Sequence, residues 1–423
     1  MTTAAPLTTL PGGLRVATAE IPHATSAAIG IWIGVGGRHE PARLNGVSHF
    51  LEHLLFKGTR RRSAVEISRA IEGIGGYLNA FTDEEHTCFY ARAQADRWPE
   101  LLDVLIDMQL GSVLAPAEIN RERGVIREEL AMYRDQPAEY LHDLLNAAQF
   151  GIHPLGRPVI GTEASLRRMR RPELAGYLAQ NYVSGATVIV GAGRLRHAEL
   201  VRTVRKLAPG FRTGPQPGFV TAAEPGPTPR FKHLRKDTEQ THLGLALRTA
   251  SRTDPRRFAL RLLNVVLGEN MSSRLFQVIR ERHGLAYNIQ SSTSFWADTG
   301  DLVITAGVEH RALKPALRLI WRELRRLSDR PISPPEFQRA RDYVLGQWEL
   351  SREGTEHQMM ALGEQVLGFG APIAPDTIRA ELTRVTPRQI QACARDFFQP
   401  GRATLACLGP GVDDTLKDRI GSE

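Results

Sequence analysis

The chain is written twice, and this constrains its fold more than any single motif does. Sliding one half over the other by 214 positions sets GIWIGVGGRHEPARLNGVSHFLEH (Gly30 to His53) on GLALRTASRTDPRRFALRLLNVVL (Gly244 to Leu267). Without a gap, Gly30 meets Gly244, Arg38 meets Arg252, Glu40 meets Asp254 and Pro41 meets Pro255. Each half opens with an apolar strand, turns through an Arg, acid and Pro stretch, and enters an apolar helix, so a duplicated fold is expected. Between the halves, APGFRTGPQPGFVTAAEPGPTPR (Ala208 to Arg230) crowds prolines and glycines as a linker does. The expected organisation is an N-terminal domain over 1–207, a linker over 208–232 and a homologous C-terminal domain over 233–423.

Periodicity within the first half supports a mixed α/β layer, and the expected fold class is α/β (α+β layers), two similar domains each with a mixed, largely antiparallel sheet packed by helices. SAAIGIWIGV alternates as a strand, and a helix begins at about Gly46. In SAVEISRAIEGIGG, Ser63 and Glu66 have the spacing of a capping box. YLNAFT and HTCFYARA read as a hairpin across DEE, followed by amphipathic helices from Asp96 to Leu110 and from Pro116 to Tyr133. GATVIVGAG reads as a returning strand and LRHAELVRTVRKL as a last helix. At 423 residues and 42% apolar composition, the chain can build two such cores.

The helix beginning near Gly46 carries a chemical anomaly. His49, Glu52 and His53 interrupt Val47, Phe50, Leu51, Leu54, Leu55 and Phe56, where burying an unpaired ionisable group is costly. The second half is an internal control: the same three positions hold Leu263, Val266 and Leu267, so folding does not require the polar trio. Residues four apart on a helix lie about 40° from one another, so His49 and His53 can aim imidazoles at one atom, which is a metal bite. Glu52 reaches the same locus from one step around, as suits a carboxylate that handles an attacking water and is not itself a ligand. Two imidazoles and a carboxylate favour Zn2+, and the ligand types also admit manganese or cobalt.

A catalytic zinc takes a third protein ligand. The helix INRERGVIREELAMYRDQP offers Glu122, Glu128 and Glu129, with Ile119, Val125, Ile126, Leu130 and Met132 as its expected buried side. Glu122 and Glu129 lie within about 20° on the helical wheel, whereas Glu128 is about 100° from Glu129. Glu129 is therefore the expected ligand and Glu122 the acceptor that orients a histidine. His39, His86, His153 and His283 have no partner at ligand spacing and are expected to be structural.

These residues resemble a known family. HFLEHLLFKGT is similar to the inverted zinc motif, HxxEH, of the pitrilysin and mitochondrial processing peptidase family, in its shorter, bacterial-type subunits. There the third ligand is a glutamate in a downstream helix resembling ERGVIREELAMYRDQP; Glu129 stands 76 positions after His53. GGYLNAFTDEEHTCFYA resembles the family's substrate-side edge strand, HPLGRPVIGTEASL a stretch after the ligand helix, and MSSRLFQVIRERHGLAY the signature of the second half. The resemblance implies a zinc metalloendopeptidase. Its zinc would be held by His49, His53 and Glu129, and Glu52 would move the water's proton to the leaving amine. Arg280 and Tyr287 would bind substrate and stabilise the oxyanion from across a chamber formed by two chains. Asn79, Ala80, Phe81 and Thr82 would hydrogen-bond an extended peptide as an added strand.

The implied partners are peptides or unfolded polypeptides and a second copy of the chain, a heterodimer being the alternative. A competing expectation is a non-catalytic scaffold or partner subunit, a kind of family member that loses motif residues kept here. Neither a nucleic-acid partner nor a membrane is expected. The net charge of +8 comes from arginines scattered on helix faces without interleaved aromatics, and no apolar run is long enough to span a bilayer. The start lacks a basic segment followed by an apolar block, so a cytoplasmic protein is expected. Cys88, Cys393 and Cys407 form no CxxC pair and are expected to be reduced and buried. A preference for basic presequences is not implied, because this chain is basic overall.

Overall fold

The two sheets show why the aligned glycines recur. In the computed structural model, which describes residues 4–412 and 414–421, the chain divides into two compact units. Unit 1 comprises 1–130, 157–220 and 349–376, and unit 2 comprises 131–156, 221–348 and 377–423. Unit 1 holds a six-stranded sheet of β1 (Leu7–Thr9), β2 (Arg15–Glu20), β3 (Ser26–Ile33), β4 (Tyr77–Thr82), β5 (Thr87–Gln94) and β6 (Thr187–Gly193), in the order β1-β2-β6-β3-β5-β4. Only β2 and β6 run parallel. Unit 2 holds β7 (Arg230–Arg235), β8 (Thr241–Thr249), β9 (Ala286–Phe295), β10 (Gly300–Val308) and β11 (Ala403–Gly409), in the order β7-β11-β8-β10-β9, with β7 and β11 parallel. Both sheets are thus mixed and largely antiparallel, as expected.

One face of the first sheet carries the main core. Ile29, Ile31 and Ile33 of β3 meet α1 (Val47–Leu55), α2 (Ala64–Glu72), α3 (Trp98–Gly111) and α4 (Pro116–Asp135) through Phe50, Ile67, Leu101 and Ile126. The opposite face is covered by the helix Thr355–Phe369, whose Met359, Leu362 and Val366 pack on Trp32, Cys88 and Val188. In unit 2 the corresponding face, with Ala246, Val303 and Ala406, is covered by Leu141, Leu144 and Leu145 of α5 (Pro137–Phe150). A Cβ at Gly30 would lie 2.4 Å from Met359 Sδ, and one at Gly244 would lie 3.2 Å from Leu145 Cδ2. The repeated glycine therefore lets one helix approach each sheet closely.

Those covering helices come from the other half of the sequence in each case, so the compact units interleave segments where the expected domains, 1–207 and 233–423, follow the chain. The Ser63–Glu66 capping box and the β4–β5 hairpin form as expected. Leu263, Val266 and Leu267 are core residues of unit 2, in a helix that continues as a π-helical turn over Val265–Glu269. The three cysteines are free and buried. Among the described residues no helix is long and apolar enough to cross a membrane.

Candidate metal centre

The start of α1 lacks a side-chain cap of its own, and a distant glutamate supplies one. Gly46, at φ +90°, is the N-cap, and a Cβ there would sit 2.6 Å from Ile160 O. Glu40 accepts from Gly46 N–H at 2.6 Å, Ser48 N–H at 2.8 Å and Asn45 Nδ2 at 3.2 Å, so a carboxylate stands at the positive end of the helix. Asn45 Nδ2 also donates to Pro158 O, and Arg157 to Glu40 O, which ties the RPVIG segment to the same corner. Burial pushes the Glu40 carboxyl up to about 7 against the pull of those donors.

A carboxyl raised from its ordinary 4.5 binds more protons folded than unfolded between the two values. Its contribution to stability therefore falls as pH rises from about 4.5 through about 7, by about 3 kcal/mol in full. Glu40→Gln is expected to flatten the stability profile across that window relative to wild type. Thermal unfolding from pH 4.5 to 8 checks this, and parallel profiles would refute it.

With its buried face fixed by Val47, Phe50, Leu51 and Leu54, α1 turns His49, Glu52 and His53 the other way. There α4 supplies Glu129. His49 Nε2 lies 3.8 Å from Glu129 Oε1 and His53 Nε2 lies 3.6 Å from Glu129 Oε2. One donor atom from each of the three residues falls within 4.8 Å of the other two. Burial, then the neighbouring His53, lowers the His49 imidazole to about 3, so it is neutral at working pH. Burial raises Glu129 and Glu52. Two imidazoles and a desolvated carboxylate converging on one point fit a divalent cation, which needs unprotonated donors and repays carboxylate burial.

The groups around the trio divide the labour. Glu122, 2% exposed, approaches His53 Nδ1 at 3.2 Å through Oε2, leaving Nε2 for the shared point. Lys57 Nζ reaches the other Glu122 oxygen at 3.0 Å. Sequence reasoning missed Lys57, which lies two residues past the end of α1, where helical spacing gives no signal. His49 Nδ1 is buried without a hydrogen-bond partner among the described residues. Glu52 stands outside the converging trio and accepts a 2.6 Å hydrogen bond from Thr82 Oγ1. Two residues expected on the buried side of α4, Val125 and Met132, are 46% and 51% exposed, because only Ile119, Ile126 and Leu130 face the core along with Glu122. Glu128 is exposed.

β4 is the edge of its sheet, and Asn79, Ala80, Phe81 and Thr82 lie along it. Asn79 Oδ1 already accepts from Ala80 N–H at 2.9 Å, so a peptide pairing at that point must displace a side chain. In unit 2, Arg280 and Tyr287 come together: the guanidinium carbon is 4.9 Å from the Tyr287 ring centre, and that tyrosine is 79% exposed, unlike an ordinary buried ring. His39, His86 and His153 make local bonds to Gly36 N, Asp83 and Leu155 N.

Comparison with known proteins identifies the family of the chain. Residues 15–163 match Insulinase (Peptidase family M16), and residues 168–344 match the Peptidase M16 inactive domain. An uncharacterized zinc protease of Streptomyces coelicolor is 38% identical over 98% of this chain and 90% of its own length. Another from Mycobacterium tuberculosis is 38% identical over 95% and 92%, and YmxG of Bacillus subtilis, also named an uncharacterized zinc protease, is 37% identical over 95% and 97%. The crystal structure of a protease from Helicobacter pylori superimposes with a TM-score of 0.91, at 18% identity, over 97% of this chain and 100% of that one. The peptidase M16 inactive domain from Pseudomonas fluorescens gives 0.89, also at 18% identity, over 96% and 98%. The chain, with its duplicated sheets and a set of converging donors in the first, belongs to the insulinase family of peptidases, family M16.

Proposed function

We propose that the protein is a zinc-dependent endopeptidase that cleaves peptides or unfolded polypeptides held in extended form. The observation that carries this reading is the convergence of His49, His53 and Glu129 with Glu52 beside them but outside the ligand set. Bound there, zinc supplies Lewis-acid polarisation of the scissile carbonyl and acidification of water. The chain's own residues do the rest. Glu122 fixes the His53 ring, and Glu52 takes a proton from the attacking water and passes it to the leaving amine. The β4 edge pairs with the substrate backbone through Asn79 to Thr82, a mode that selects extended conformation over particular side chains.

Two copies of the chain would close a chamber in which Arg280 and Tyr287 of one serve the zinc of the other. Removing metal with a chelator is expected to abolish cleavage of a quenched extended peptide, and added Zn2+ to restore it. A metal-replete protein that cleaves nothing would instead favour the scaffold reading. Sharing of sites predicts that a Glu52→Gln chain mixed with a Tyr287→Phe chain recovers part of the activity that each lacks alone. No recovery, once subunit exchange is demonstrated by labelling, would refute the homodimeric arrangement.

A further inference from the structure

Glu52 poses a problem of selectivity within its own site. It sits between the two histidines in sequence and close enough to His53 and Glu129 for their charges to act on it. A carboxylate so placed is drawn to a divalent cation, and a fourth protein ligand would close the position that a catalytic zinc keeps open. Yet among the described residues the converging donors are His49, His53 and Glu129. The Glu52 carboxylate has another partner: Thr82 Oγ1 donates to its Oε2 at 2.6 Å.

The placement of Thr82 follows from strand alternation. Leu78 and Ala80 pack toward the core face that carries α1, and Phe81 packs on the opposite face, so Thr82 points to the α1 side at the last position of β4. We propose that Thr82 is a positioning residue whose hydroxyl holds Glu52 out of the metal's ligand set, so that the carboxylate stays beside the metal as a base. The same residue ends the edge strand that pairs with substrate, so one side chain links the peptide-binding edge to the proton-transfer group. This inference rests on the zinc peptidase reading.

The test is the Zn2+ affinity of the purified protein, measured by chelator competition, with peptide turnover as a second readout. In Thr82→Val the freed carboxylate joins the ligands, so Zn2+ binds about tenfold tighter, the scale of coupling between groups in direct contact. At the same time kcat falls at least tenfold with KM little changed. Thr82→Ala is expected to shift both quantities in the same directions, and Thr82→Ser, which keeps the hydroxyl, to match wild type. In a Glu52→Gln background, Thr82→Val should leave Zn2+ affinity unmoved. General damage to the site would instead weaken Zn2+ binding. Unchanged or weaker affinity in both Thr82→Val and Thr82→Ala overturns the proposal, as does tightening that persists without the Glu52 carboxylate. A wild-type protein that takes up no Zn2+ overturns the peptidase reading together with this one, whereas a Zn2+-binding wild type with indifferent Thr82 variants overturns this one alone.

Discussion

Glu52→Gln is expected to lower peptide hydrolysis by roughly 10²–10⁴-fold, the contribution of a positioned general base, while the protein keeps its full metal content. The substitution preserves shape and still offers Thr82 an amide oxygen to donate to, so the only thing removed is the ability to hold a proton. Metal binding should survive because Glu52 is not among the converging donors. Burial raises the Glu52 carboxyl, and the hydrogen bond from Thr82 acts in the opposite direction. Parallel measurement of bound zinc and of cleavage decides the matter. Equal loss of both would make Glu52 a ligand, and full activity in the variant would place the base elsewhere.

The parts of this site that were legible in the sequence are those set by one helix at a time. The four-residue spacing of His49 and His53 and the seven-residue spacing of Glu122 and Glu129 follow from helical geometry, and the aliphatic control at Leu263, Val266 and Leu267 follows from the match between the two halves. What stayed hidden depends on segments that meet only in the fold. Glu40 caps α1 from outside it, Thr82 reaches Glu52 from another element, and neither distance is encoded in a local period. The helices Pro137–Phe150 and Thr355–Phe369 each have an apolar face that a wheel can find, but a wheel does not say which of two similar sheets the face will cover. Val125 and Met132 mislead for a related reason: an apolar residue at the margin of a helix face is counted as core by type, while the fold leaves it open.

A buried ion pair, Arg38 with Glu85, helps hold the hairpin that carries Thr82, and breaking it should cost about 3–5 kcal/mol. Arg38 is 1% exposed; its Nη1 donates to Glu85 Oε1 at 2.8 Å, its Nη2 donates to Val220 O at 2.9 Å, and its guanidinium carbon lies 4.0 Å from the Phe219 ring centre. Backbone bonds from Gly37 to Asp83 O and from Arg38 to Glu84 O fasten the same turn. Arg38→Met keeps most of the volume but leaves the Glu85 carboxylate, 8% exposed, without its guanidinium, and this desolvated charge is the main expense. The double variant Arg38→Met, Glu85→Met removes both charges, so it should recover much of the loss; the missing bond from Arg38 Nη2 to Val220 O keeps it below wild type. Urea unfolding of the two variants supplies the measurement. A single variant within about 0.5 kcal/mol of wild type would show that the pair contributes little, since surface substitutions have that size of effect. A double variant no better than the single would put the cost on lost packing against Phe219 instead of on the stranded charge. The expected order also bears on catalysis, because the turn that Arg38 secures begins at Asp83, the residue after Thr82, and loosening it should lower kcat in the single variant more than in the double.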